Sequence, residues 1–109
     1  MIEPILGSTN AERVLLYLLA RDQGYTREIA RFWGSDPDSV QKQLVRLERG
    51  GVLNSNLAGK TRIYRFNPRY SFLKELKALL EKALSFYASD EQERLLVVRR
   101  RPRRKDKPL

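Results

Sequence analysis

The amino-acid sequence predicts an α+β domain that is mainly α, on three observations. Apolar residues recur at helical spacing in four separate segments. Only residues 52–66 change to a period of two, around a glycine turn. The last fifth of the chain carries a run of basic residues. The 109 residues therefore divide into one folded domain, 1–88, and a basic tail, 89–109.

The first helix starts at Thr9-Asn10-Ala11-Glu12, which has capping-box spacing. The Thr9 hydroxyl would accept from the Glu12 amide, and the Glu12 carboxylate would reach back. Val14, Leu15, Leu18 and Leu19 follow on one face, and Gly24 lies past the end. Thr26 caps a shorter helix ending near Trp33, with Ile29, Ala30 and Trp33 inward and Arg27 and Arg31 outward. Trp33 is assigned to the core rather than to stacking on bases.

Asp36 suits the N-cap of a third helix, 37–49, because Pro37 at the first helical position has no N–H to satisfy. Val40, Leu44 and Leu47 form its apolar stripe, and Gly50-Gly51 end it. Strands from Val52 to Leu57 and Thr61 to Phe66 flank Ala58-Gly59-Lys60 as a hairpin. Arg62, Tyr64 and Phe66 share one face, Ile63 and Arg65 the other. Asn67-Pro68 ends the second strand.

A fourth helix runs from about Ser71 to Tyr87. Its apolar residues cover an arc of roughly 160°, where a helix on one small domain needs about 100°. The surplus points to a homodimer, with Leu73, Leu76, Leu80, Leu84 and Tyr87 as the dimerisation set. Ser89-Asp90-Glu91-Gln92 has capping-box spacing again, so Leu95 to Val98 could extend a short helix or form a strand. Both remain open. Arg99 to Lys105 is expected to stay solvated.

Composition excludes much. Lys+Arg number 22 against 13 Asp+Glu, a formal charge of +9, with no His and no Cys. Disulfides, thiolate metal sites, thiol nucleophiles and His-based triads are ruled out. No cofactor, metal site or catalytic residue is expected, and an enzyme is not the reading. Gly59-Lys60-Thr61 echoes a phosphate loop, but Asn54 stands where the motif needs glycine and a strand follows instead of a helix. Asp36 and Asp38 are read as an N-cap and a first-turn acid rather than a metal pair. The longest apolar run, Val14 to Ala20, is far below the ~18 residues of a membrane span, and Met1-Ile2-Glu3-Pro4 lacks signal-peptide order. A soluble, cytoplasmic protein is expected, with no membrane partner. The basic charge points toward polyanions, most often nucleic acid.

Helix, short helix, tight turn, helix, hairpin is the order of a winged helix-turn-helix. Thr26-Arg27-Glu28-Ile29-Ala30, then Gly34, Val40 and Leu44, have its core spacing. Leu47-Glu48-Arg49-Gly50-Gly51-Val52-Leu53, followed by Gly59 to Phe66, resembles the recognition-helix end and wing of ArsR-like regulators. That resemblance covers about Ile5 to Tyr87 and implies a dimeric DNA-binding regulator. The family's metal sensors use Cys or His ligands, so that sensing is not carried over. Arg27-Glu28-Ile29-Ala30-Arg31, Val40 to Leu44 and Tyr64 to Pro68 also resemble winged-helix domains found ahead of some nucleotidyltransferases. The Gly-Ser loop and Asp-x-Asp pair of those enzymes do not follow.

A B-DNA major groove about 12 Å wide admits one helix. In that role the third helix offers Ser39, Gln41, Lys42, Gln43 and Arg46: Gln suits adenine, Lys or Arg guanine, and Ser phosphate or base. Lys60 and Arg62 flank the hairpin tip, which would meet backbone or minor groove, and Thr26 and Arg27 would hold a phosphate. The partner expected is double-stranded DNA. The alternatives are an adaptor docking a separately encoded enzyme such as a nucleotidyltransferase, which makes a protein partner possible, or an RNA-binding module using the tail.

Overall fold

The computed structural model describes residues 1–96. Helix α1 spans Glu3–Leu6 and α2 spans Thr9–Arg21. Between them Gly7 adopts φ 107°, a left-handed conformation that glycine reaches without steric cost. This turn delivers Ser8 in extended form, and the Ser8 hydroxyl accepts from the Ala11 amide at 3.0 Å. The cap is thus Ser8, one residue before the expected Thr9, because the preceding helix sets where α2 begins.

Helix α2 is the central post of the domain. Val14, Leu15, Leu16, Tyr17 and Leu18 are all buried, so it is enclosed on every side rather than along one stripe. Helix α3, Thr26–Trp33, and α4, Pro37–Arg49, pack on it and on each other. Asp36 caps α4 by accepting from the Ser39 amide at 3.0 Å, and Val40, Leu44 and Leu47 are the buried stripe. Both expectations hold.

Strands β1, Leu53–Ala58, and β2, Thr61–Phe66, form one antiparallel hairpin from Leu53↔Phe66 to Ala58↔Thr61. Its face of Tyr64 and Phe66 enters the core, while Arg62 lies beyond the core's reach and is exposed. Gly24 adds a further bridge: its amide donates to the Tyr64 carbonyl at 3.1 Å, and the Tyr64 amide returns a bond of 2.8 Å. A Cβ on Gly24 would stand 2.7 Å from Tyr17 Cε1, so a side chain there would press into α2.

Helix α5, Leu73–Leu84, lies against α2. Residues 89–96 form a further helix, which answers the open choice for its part of the tail. Its capping differs from expectation: the Ala88 carbonyl accepts its first amides, and Gln92 Nε2 donates to the Tyr87 carbonyl. Leu95 is fully buried in the common core. Arg21 secures this helix, donating to the carbonyls of Leu95 and Arg94 while its guanidinium lies over the rings of Tyr17 and Phe32. Packing thus continues past the 88/89 boundary drawn from charge alone, because Leu95 is buried against the core of the preceding domain. Val97, Val98 and the basic run from Arg99 lie outside the described residues. No helix among those described is long and apolar enough to cross a membrane.

Burial, with the Glu28 charge adding to it, pushes the Tyr17 phenol up to about 12. The sign follows from linkage: a pKa raised in the folded state contributes stability that is complete below the unfolded value of about 10 and is lost as pH rises through the folded one. Alkaline titration should therefore weaken the fold between pH 10 and about 12. Tyrosinate absorbance and circular dichroism followed together should show the last phenols ionising with unfolding. Ionisation of all five tyrosines near pH 10 with the helices intact would contradict this burial.

Candidate nucleic-acid interface

Three elements meet on one side of the molecule: the N-terminal end of α3, the outward side of α4 and the hairpin tip. They enclose an open cleft of roughly 400 Å³, lined among others by Thr26, Arg27, Gln41, Lys60, Thr61 and Arg62. The Gly24–Tyr64 bridge explains the juxtaposition, since it fastens the wing beside the turn that leads into α3.

Thr26 was expected as an N-cap, but Tyr25 holds that position and Thr26 is the first helical residue. The Glu28 carboxylate accepts from the Tyr25 amide at 3.4 Å, which leaves the Thr26 hydroxyl free for another contact. It bonds to Gln41 Oε1. Gln41 Nε2 in turn donates to the Tyr64 hydroxyl at 3.3 Å. Gln41 is therefore engaged at both ends of its amide, tying α4 to α3 and to β2.

Other expected contacts are also partly engaged. The Ser39 hydroxyl donates to Asp36 Oδ2 at 3.1 Å. Arg46 Nε donates to Gln43 Oε1, and its Nη2 to the Leu6 carbonyl, each at 2.9 Å. That draws Arg46 toward α1. Lys42 is exposed and has no hydrogen-bond or ion-pair partner among the described residues. Helical periodicity could have added Arg49: with Lys42, Val45 and Arg46 it borders a shallow groove along α4.

On the wing, Arg62 Nη1 donates to Ser55 Oγ at 2.9 Å, and that hydroxyl donates to Glu48 Oε2 at 2.8 Å. Lys60 and Arg27 are exposed, with no partner among the described residues. Three cations thus converge from two elements, and no carboxylate lies within ion-pair distance of them among those residues. Such a cluster raises the local concentration of anions. No three His, Cys, Asp or Glu side chains among the described residues converge to hold a metal ion.

Leu80 is 0% exposed within its own chain and belongs to the core. Leu73, Leu76, Leu84 and Tyr87 are partly buried and pack against that same core. Leu73, Leu76 and Leu84 share the α5 side that packs on α2, whereas Tyr87 lies past the end of α5 at Leu84. Phe72 and Phe86, flanking α5, are 64% and 66% exposed, and Ile5, Leu57 and Leu96 are also exposed elsewhere among the described residues.

No protein-family model and no curated protein matches the sequence. Solved structures do share its fold. A mutant of Lactococcus lactis ZitR in apo form matches with a TM-score of 0.55 and 21% identity, over 91% of this chain and 82% of that one. The antimony-specific transcriptional repressor AntR matches with a TM-score of 0.53 and 22% identity, over 77% of this chain and 78% of that one. At these identities the likeness is one of fold: the chain is a winged helix-turn-helix, with α3 and α4 as the helix pair and β1–β2 as the wing.

Proposed function

We propose that the protein is a double-stranded-DNA-binding transcriptional regulator that works as a homodimer in the cytoplasm. The observation that carries this reading is the unneutralised basic surface running from the outward side of α4 to the wing, with Lys42, Arg27 and Lys60 free of partners among the described residues. Helix α4 would enter the major groove with Lys42 toward base edges, and the wing, 52–66, would meet backbone or minor groove. The reading requires no catalysis. A regulator of this kind acts by occluding a promoter, and the shared fold with AntR, an antimony-specific transcriptional repressor, supports the same direction.

Selecting bound duplexes from random DNA at stated salt tests the reading. A palindromic consensus is expected, because a two-fold dimer presents two α4 helices. Salt-sensitive binding without sequence preference would overturn sequence-specific regulation. Lys42→Ala should cost about 1–3 kcal/mol on the preferred duplex and much less on random DNA. Equal losses on both would reduce Lys42 to a phosphate contact.

The dimer reading rests on the apolar arc of α5, whose Leu73, Leu76 and Leu84 are only half-buried within their own chain, with Phe72 and Phe86 exposed at its two ends. Sedimentation should give a dimer for the native chain and a folded monomer for Phe86→Glu. A native chain that sediments as a monomer at micromolar concentration would remove the dimer from this proposal.

A further inference from the structure

Helix α1 is a single turn of 4 residues, far below the roughly 12 at which an isolated helix becomes even marginal in water. Groups from two other elements hold it, one at each end. At its start the Ile2 amide donates to the Glu12 carboxylate of α2 at 2.8 Å. At its end lies the Leu6 carbonyl, one of the terminal acceptors for which a single turn has no internal donor. Arg46 of α4 provides that donor. Its Nη2 bonds to the Leu6 carbonyl and its Nε to Gln43 Oε1, each at 2.9 Å. The guanidinium also complements the negative end of the α1 dipole. It reaches there across Gly7, where even a Cβ would stand 3.4 Å from Nη2. Helix α1 therefore spans from α2 to α4, and it meets α4 one turn beyond Lys42.

We propose that, on the regulator reading above, Arg46 is a positioning residue. It uses α1 as a strut that fixes how α4 presents Lys42, and it does not itself touch the duplex. The planar fork of a guanidinium holds best when two of its donors meet fixed acceptors, and here the acceptors come from α1 and from α4 itself. Turning Arg46 toward a phosphate would break both bonds and release the end of α1.

Two arms test the strut and separate it from the regulator reading. The first uses no DNA. Pro4 is exposed and pre-sets the backbone at the start of α1, so Pro4→Gly loosens α1 without entering the core. In isotope-labelled full chain this change should shift the Arg46 Nε–H signal and the backbone amides of Gln43 and Arg46. The amides of Ile63 and Arg65 on the wing should stay in place. An Arg46 signal indifferent to Pro4→Gly overturns the strut.

The second arm measures duplex affinity for the native chain, Pro4→Gly, Arg46→Gln and the double variant, at a temperature where circular dichroism shows all four folded. Each single change should weaken binding by about 3- to 10-fold. The double variant should bind no more weakly than Arg46→Gln alone, because a strut released at one end is already lost. Multiplying losses, or a Pro4→Gly chain that binds like the native one, would overturn the proposal. Raising salt from about 50 to 200 mM should weaken Arg46→Gln and the native chain by the same factor, whereas a lost phosphate contact would lessen that factor roughly 3.5-fold. The lessened factor would make Arg46 a DNA contact and overturn its positioning role. A chain that binds no duplex, yet whose Arg46 signal answers to Pro4→Gly, would overturn the regulator and uphold the strut.

Discussion

Replacing Leu80 with glutamate should unfold the domain at every protein concentration. Leu80 is 0% exposed and sits in the core that α2 shares with α5. A carboxylate there would lose its hydration, with an effective penalty of several kcal/mol, in addition to the lost packing of the leucine. Small domains are stable by only about 5–15 kcal/mol in all, so this one change removes most of the margin. Leu80→Ala, which leaves a cavity and no charge, should cost about 2–5 kcal/mol and stay folded. Were Leu80 a dimer contact, as the apolar arc alone suggests, the glutamate variant would instead be a folded monomer. Circular dichroism with sedimentation separates the outcomes: lost helix signal follows from a core position, retained signal with halved mass from an interface.

The same residue marks the limit of what periodicity conveys. A helical pattern fixes which side chains share a face, but the helix read from about Ser71 to Tyr87 spans only Leu73–Leu84, so Phe72, Phe86 and Tyr87 fall outside it. The pattern carries no information on how much of the face the rest of the chain covers, which depends on α2 being buried all round. The order of elements from α2 to α5 and the buried stripes of α3 and α4 were legible because local spacing determines them, whereas the one-turn α1 was not. The engagement of Gln41 was not legible either, because it depends on the Thr26 hydroxyl being released from capping and on Tyr64 arriving from a strand 23 residues away. Net charge likewise located the basic tail but not its first anchored turn. Leu95 begins a short apolar stretch between charged segments, and the contacts that hold its helix come in part from Arg21, 74 residues earlier.

Substituting Glu12 with alanine should destabilise the domain by about 3 kcal/mol or more and loosen both ends of the described chain together. Glu12 is 1% exposed, the buried charged residue of the core. Its carboxylate accepts from the Met1 ammonium and the Ile2 amide, each at 2.8 Å, and from the Tyr87 hydroxyl. Burial, with Glu12 as the acceptor of its proton, holds the Tyr87 phenol well above the usual tyrosine range, so the phenol stays a donor. One carboxylate thereby joins the residues before α1, the start of α2 and the segment after α5. Sequence spacing assigned it to a local capping box, since nothing local marks a partner 75 residues away. Hydrogen bonds to a charged group contribute about 1.5–3 kcal/mol each, and alanine leaves the Ile2 amide and the Tyr87 hydroxyl without their acceptor. Tyr87→Phe removes one of these bonds and should cost about 1.5–3 kcal/mol. Because the two residues share that bond, the double variant should be less destabilised than the sum of the singles, as contacting pairs are. Urea unfolding of the four proteins measures this coupling, and hydrogen exchange of the Glu12→Ala chain should show protection falling in residues 1–6 and 87–96 before the α3–α4 pair. Additive losses would mean that Tyr87 is held in place without Glu12.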